Sequence, residues 1–272
     1  MGLNINTNLS AMDAARNLQS TENMLSTNMT RLSSGLRINS AAEDVAGYAI
    51  SQSLQSQSNG LNQAGENIQD AVALAQTAQG ALNTVNSMLQ RIRELGVQQA
   101  NGTTSKEDKT AIEGEVTQLV SEIERVGKTT EFNGVNLLEG KEEITFQVGA
   151  NDKETVGIKT VELYKEVEKL IEAAKFGEKI EKGTGLKEIN EAIAKVSSIA
   201  GEFGAIQDRI QYTQSNLEIY SQNLTSAVSA ITDVNIAAEM TNFTKNQVLE
   251  QAGVSILTQA NHLPQLALKL LE

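Results

Sequence analysis

The sequence predicts a mainly α protein: an elongated antiparallel coiled-coil-like bundle of long helices, with a small β-hairpin region and a short charged α/β middle segment. Three observations predict it. Apolar residues recur every seven positions over long stretches of the chain. Aromatic residues make up only 3% of the 272 residues, so thick layers lack the bulky side chains that normally fill them. Charge is zoned: residues 139–195 hold 13 acidic and 10 basic residues, whereas the flanks are rich in Ala, Asn, Gln, Ser and Thr.

The first helix is expected over residues 7–34. Leu18, Leu25 and Leu32 occupy one seam position, and Met29 and Leu36 the other. A second runs over 45–100, where Leu54, Leu61, Ile68, Ala75, Leu82 and Leu89 recur in register. Gln57, Ala64, Ala71, Ala78, Val85 and Ile92 follow three places on. Alanine at so many seam positions lets the partner helix approach closely. At 1.5 Å per residue this helix is about 84 Å long, against a diameter of roughly 50 Å for a compact chain of this size. Gly60, Gly65 and Gly80 interrupt it, but a lone Gly costs only about 1 kcal/mol and the seam keeps its phase, so an elongated bundle is expected.

Asn101-Gly102 stops that helix. Ser105-Lys106-Glu107-Asp108 starts a third over 105–130, with acids in its first turn. Asn133-Gly134 is a hairpin turn signal. Residues 144–148 and 155–158 read as short strands separated by Asn151-Asp152. Val161, Leu163, Val167, Leu170 and Ile171 mark one amphipathic helix, and Ile189, Ile193 and Val196 a second after Gly183-Thr184-Gly185. A last long helix is expected over 200–260, with Leu217, Leu224, Ile231 and Ala238 as its seam and Tyr220, Ala227 and Val234 beside it.

Composition excludes several functions. With no Cys there is no disulfide framework, thiolate nucleophile or Cys-ligated metal, and one His excludes a multi-His site. No cofactor or metal is expected. A net charge of −12 argues against nucleic acid and anionic lipid. No apolar run is long enough to cross a membrane. The N-terminus lacks the basic start and apolar segment of an ordinary secretory signal. Glu142-Glu143 is a charged surface, since neighbours on a strand point to opposite faces. No catalytic residues are expected.

The two ends are incomplete by themselves. Residues 1–40 and 235–272 carry few charges and one amphipathic stripe each, and a short helix alone is marginal in water. They either pair with each other or find partners on neighbouring molecules. Unlike mating surfaces that do not close a ring give a helical filament.

The same ends carry a resemblance. Ile5-Asn6-Thr7-Asn8, Arg31-Leu32-Ser33-Ser34-Gly35-Leu36-Arg37-Ile38-Asn39-Ser40-Ala41, Asp44-Val45-Ala46-Gly47-Tyr48-Ala49-Ile50, Leu89-Gln90-Arg91-Ile92-Arg93-Glu94-Leu95 and Phe132-Asn133-Gly134 stand in order. Near the other end stand Asn223-Leu224-Thr225-Ser226-Ala227, Gln251-Ala252-Gly253, Gln259-Ala260-Asn261 and Leu270-Leu271. Over roughly residues 1–150 and 200–272 the chain resembles the bacterial flagellins, in a short form.

The resemblance implies a structural subunit that self-assembles into the helical flagellar filament used for motility, and not an enzyme. It implies an N-terminal arm (1–40) and a C-terminal arm (235–272) of the inner filament core, carrying Leu18, Leu25, Leu32, Leu257, Leu270 and Leu271. It implies a helical rod domain (41–138 and 199–234) and a short solvent-facing segment between (139–198). The implied location is the extracellular filament, reached through the flagellar type III channel. The implied partners are other copies of the chain, the flagellar cap, hook-associated proteins and an export chaperone. Host innate immune receptors, the Toll-like flagellin receptor among them, are implied too, with Gln90, Arg91, Leu95, Gln98 and Glu115 as a shared receptor and subunit-packing surface. Arg91 and Glu94 read equally well as solvated helix charges. A hook–filament junction protein shares the terminal plan and is the alternative; an enzyme-bearing flagellin would need a larger middle segment than this chain has.

Overall fold

The computed structural model describes residues 7–140, 142–168 and 176–269. In chain order its elements are α1 (Leu9–Ser34), α2 (Val45–Gln99), α3 (Lys106–Thr129), β1 (Glu131–Phe132), β2 (Val135–Asn136), β3 (Glu143–Gln147), β4 (Thr155–Lys159), α4 (Leu163–Glu168), α5 (Phe176–Glu181), α6 (Gly185–Thr232) and α7 (Ile236–Lys269). The mainly helical class with a small hairpin region is as the sequence predicts. Two compact units share the chain, one of residues 1–57 and 223–272, the other of residues 58–222; α2 and α6 each contribute to both.

The unit of residues 58–222 holds the hydrophobic core. In α2, Leu61, Ile68, Leu82, Leu89 and Ile92 are buried, as are Ala64, Ala71, Ala75 and Ala78 between them. The helix is continuous through Gly60, Gly65 and Gly80. It runs antiparallel to α6: Leu217 lies beside Gly65, and Arg93 Nε donates to Asn190 Oδ1 at 2.9 Å. From α6 the core receives Ile189, Val196, Phe203 and Ile210, and from α3 Ile112, Val116 and Ile123.

α3 starts on a reciprocal cap. Ser105 Oγ accepts the Asp108 N–H at 3.1 Å, and the Asp108 carboxylate takes the Ser105 N–H at 3.2 Å. Both donors are ones the first helical turn cannot satisfy itself. Ser105→Ala is expected to lower the stability of this unit by about 1 kcal/mol, read as an earlier midpoint in urea.

Both predicted hairpins form. Asn133 (φ 49) and Gly134 (φ 79) turn β1 into β2, the pair of positive φ values that a two-residue hairpin turn requires. β3 and β4 pair antiparallel with Ile144 opposite Ile158 and Phe146 opposite Val156. Alternation puts these four on one face, where Ile158 is fully buried and Val156 nearly so. The hairpin is tied to both long helices: Asn67 Nδ2 donates to the Gln147 carbonyl at 2.9 Å, and Arg209 Nη2 to the Gly157 carbonyl at 3.4 Å.

The β3–β4 turn titrates. The Asn151 side chain and backbone N–H both donate to the Glu154 carboxylate, each at 3.0 Å, and hold its pKa below the usual carboxylate value. A lowered acid contributes stability above its ordinary pKa and loses it as pH falls through the lowered one. The protection of the Asn151 amide, as its exchange rate relative to the intrinsic rate at each pH, is therefore expected to fall on acidification, and Glu154→Gln to flatten that dependence.

Two helix assignments differ from the sequence reading. Of the helix marked by Val161 to Ile171, α4 over residues 163–168 is the described part; Leu170 and Ile171 lie outside the described residues. Ile189, Ile193 and Val196 begin α6 and are not a separate middle helix, because no break follows Gly185 until Thr232. The single helix expected over 200–260 is two, separated at residues 233–235. No Gly or Pro stands between residues 205 and 252; the gap is bridged to residues 35–37 instead.

Candidate assembly interface

The unit of residues 1–57 and 223–272 is built differently. α1 begins on an Asn8 cap, whose side chain accepts the Ala11 N–H at 3.1 Å. Its last turn closes on Gly35 in the left-handed region (φ 74), whose N–H bonds the Arg31 carbonyl at 2.9 Å. α7 runs antiparallel to it. Asn8 Nδ2 donates to the Ala260 carbonyl at 2.8 Å, Leu18 packs beside Gly253, and Asn28 is buried.

This pairing covers one stripe only. Leu18, Leu25, Leu32 and Leu257 are half-buried. The second predicted seam position of α1 is open: Met29 is 55% exposed, and Leu36 lies at the surface. Met12 and Met24 are exposed as well. On α7 the open apolar positions are Ile236, Met240, Val248, Leu249, Val254 and Ile256, of which Val248 is 60% exposed. Met240, Thr244 and Val248 fall at i, i+4 and i+8, and with Thr241, Lys245 and Leu249 they line one shallow groove. Among the described residues of this unit, the buried apolar side chains are Ile38, Leu224 and Ala260. Apolar surface is thus concentrated where it is least covered, which marks an interaction surface.

The remaining predicted positions fall as follows. Leu54, Leu217 and Ile231 are half-buried, and Leu224 is buried. Leu270 and Leu271 lie outside the described residues. Gln90, Arg91, Gln98 and Glu115 are exposed together on α2 and α3. Arg91 Nε donates to Glu115 at 2.9 Å and Nη1 to Glu94 at 3.2 Å; these two hydrogen bonds, the one to Glu115 foremost, raise the guanidinium pKa. Leu95 does not belong to that surface. It is 2% exposed, because it lies three residues after the fully buried Ile92 and shares its inward helical face.

The sequence reading missed the open methionines and valines of the arms. The signal was present: Met240, Val248 and Leu249 sit among polar neighbours at helical spacing. Periodicity identifies a stripe but does not say whether the chain itself covers it.

Comparisons with known proteins agree on one family. The bacterial flagellin N-terminal helical region matches residues 5–143, and the bacterial flagellin C-terminal helical region matches residues 186–271. The chain is 42% identical to a flagellin of Halalkalibacterium halodurans over 269 residues, 98% of this chain and 99% of that one. It is 39% identical to a flagellin of Bacillus subtilis, covering 99% and 100%, and 40% identical to the flagellar filament 33 kDa core protein of Treponema phagedenis, covering 98% and 99%. Among solved structures, a putative flagellar hook-associated protein from Vibrio parahaemolyticus matches with a TM-score of 0.60, over 70% of this chain and all of that one. At 14% identity it shares the fold alone. Two family regions in order and relatives near 40% identity along almost the whole length settle the assignment: the chain belongs to the bacterial flagellins, the structural subunits of the flagellar filament.

Proposed function

We propose that the two terminal arms, residues 1–40 and 235–272, are the elements through which this subunit polymerises, and that they form the inner core of the filament. The observation that carries the reading is the apolar face left open on α1 and α7, beside a core in residues 58–222 that already covers its own seam. A face of this kind is costly in water and favourable against another subunit. Residues 41–138 and 199–234 form the helical rod around that core, and residues 139–198 stand toward solvent.

The further partners follow from family membership. The subunit leaves the cell through the flagellar type III channel with an export chaperone, and assembles against hook-associated proteins and beneath a cap. The exposed group Gln90, Arg91, Gln98 and Glu115 serves subunit packing and contact with host innate immune receptors. No catalytic role is assigned.

Protease tests the role of the arms. In the unassembled protein, cleavage is expected first within residues 1–40 and 235–272, and those sites are expected to be protected after assembly. Cleavage confined to residues 139–198 in both states would contradict it.

A further inference from the structure

The gap between α6 and α7 contains no Gly or Pro, and beside the local cap at Asn235 it is contacted by the other arm. An unbroken helix through this region would bond the Ile231 carbonyl to the Asn235 N–H and the Thr232 carbonyl to the Ile236 N–H. Both acceptors are taken by one residue of the other arm. The Arg37 guanidinium donates to the Ile231 carbonyl at 2.6 Å, and the Arg37 backbone N–H donates to the Thr232 carbonyl at 2.6 Å. The donor side is answered in kind: the Val234 N–H, which a helix would send to Ala230, goes to the Gly35 carbonyl at 3.0 Å. Leu36 and Asp233 thereby face each other as an isolated antiparallel bridge.

The other arm is shaped to deliver these groups. Gly35 adopts φ 74 and directs the chain away from α1, a left-handed conformation that disfavours residues with a side chain. Ile38, just beyond, is buried. Local capping also acts at the gap, since Asn235 Oδ1 accepts the Ala238 N–H at 3.2 Å. The Asp233 carboxylate also accepts from Ser229 Oγ and Thr232 Oγ1, while three hydrogen bonds join residues 231–234 to Gly35 and Arg37.

We infer that Arg37 is a positioning residue: its guanidinium on the Ile231 carbonyl anchors the backbone bridge that occupies the Thr232 carbonyl, and without that anchor the bridge is lost, so that the start of one arm's helix is set by the other arm. Released from Arg37, residues 233–235 become helical and α6 continues into α7. This goes beyond the role of the arms in assembly and is tested on the unassembled full-length chain.

The chain has no Cys, so an introduced pair is unique. Leu36 and Asp233 form a bridge pair that does not exchange hydrogen bonds with itself, which brings Cα atoms to about 4.5 Å, within disulfide range. The variant Arg37→Ala, Leu36→Cys, Asp233→Cys is compared reduced and oxidised by residue-resolved NMR. Reduced, the Val234 and Asn235 Cα shifts are expected to become helical, and the Asn235 and Ile236 amides to exchange about fivefold more slowly or better, as new helical bonds form. Oxidised, the bridge is restored and both are expected to return to the values of the unsubstituted protein. Asn235→Ala with Arg37 intact is expected to keep the gap non-helical. Non-helical shifts in the reduced variant, or a helical gap in Asn235→Ala alone, would show that the break is local and overturn the inference.

Discussion

Met240→Glu together with Val248→Glu is expected to leave a folded monomer that makes no filaments. Both side chains are exposed on α7, and exchanges at such positions change stability by no more than about 0.5 kcal/mol. Glu is a good helix former, so α7 itself is not weakened. The effect belongs to assembly. If this face meets another subunit, each polymer contact must bury two carboxylates against an apolar surface, and an unpaired buried charge costs several kcal/mol even after relaxation. About 4 kcal/mol corresponds to a thousandfold change in an association constant. The concentration needed for filaments is therefore expected to rise at least about a thousandfold, measured by sedimentation after seeding. Unchanged helicity and melting beside that loss would separate interface from fold. Filaments at the ordinary concentration would mean that this face of α7 is not buried between subunits.

Leu89→Ala is expected to do the opposite, by damaging the subunit itself. Leu89 is fully buried in the core of residues 58–222, between Val85 and Ile92 on the inward face of α2. Removing a buried Leu side chain loses its transfer free energy and leaves a cavity, at a cost of about 3 kcal/mol within a usual span of about 2–5. Urea denaturation of the unassembled protein measures it. A change below about 1 kcal/mol would mean that the seam is loosely packed.

The helices and hairpins were legible because their causes are local. Heptad spacing shows the buried face of α2; Ser105 and Asp108 show the start of α3; Asn133-Gly134 and the alternation around Ile144 and Ile158 show the two hairpins. What was not legible depends on residues far apart in sequence. The break after Thr232 coincides with hydrogen bonds to Gly35 and from Arg37, nearly two hundred residues away. Met29 has the spacing of a seam residue but stays open, since α7 covers one stripe of α1 and, among the described residues of that unit, nothing covers the other. Leu95 was placed on an outward surface by its position in a motif, whereas the helical phase set by Leu89 and Ile92 turns it inward. The family resemblance was legible at both ends because it rests on long blocks in order. The open face of α1 and α7 depends instead on which distant segments pack against it.

The most direct test of the central claim is electron microscopy of the purified protein at high concentration, beside variants lacking residues 1–35 or the last 35. The full chain is expected to form long, ordered tubes, and either truncation none, while circular dichroism shows that the truncated chains remain helical. Ordered long filaments from either truncated chain would contradict the assignment of polymerisation to the arms.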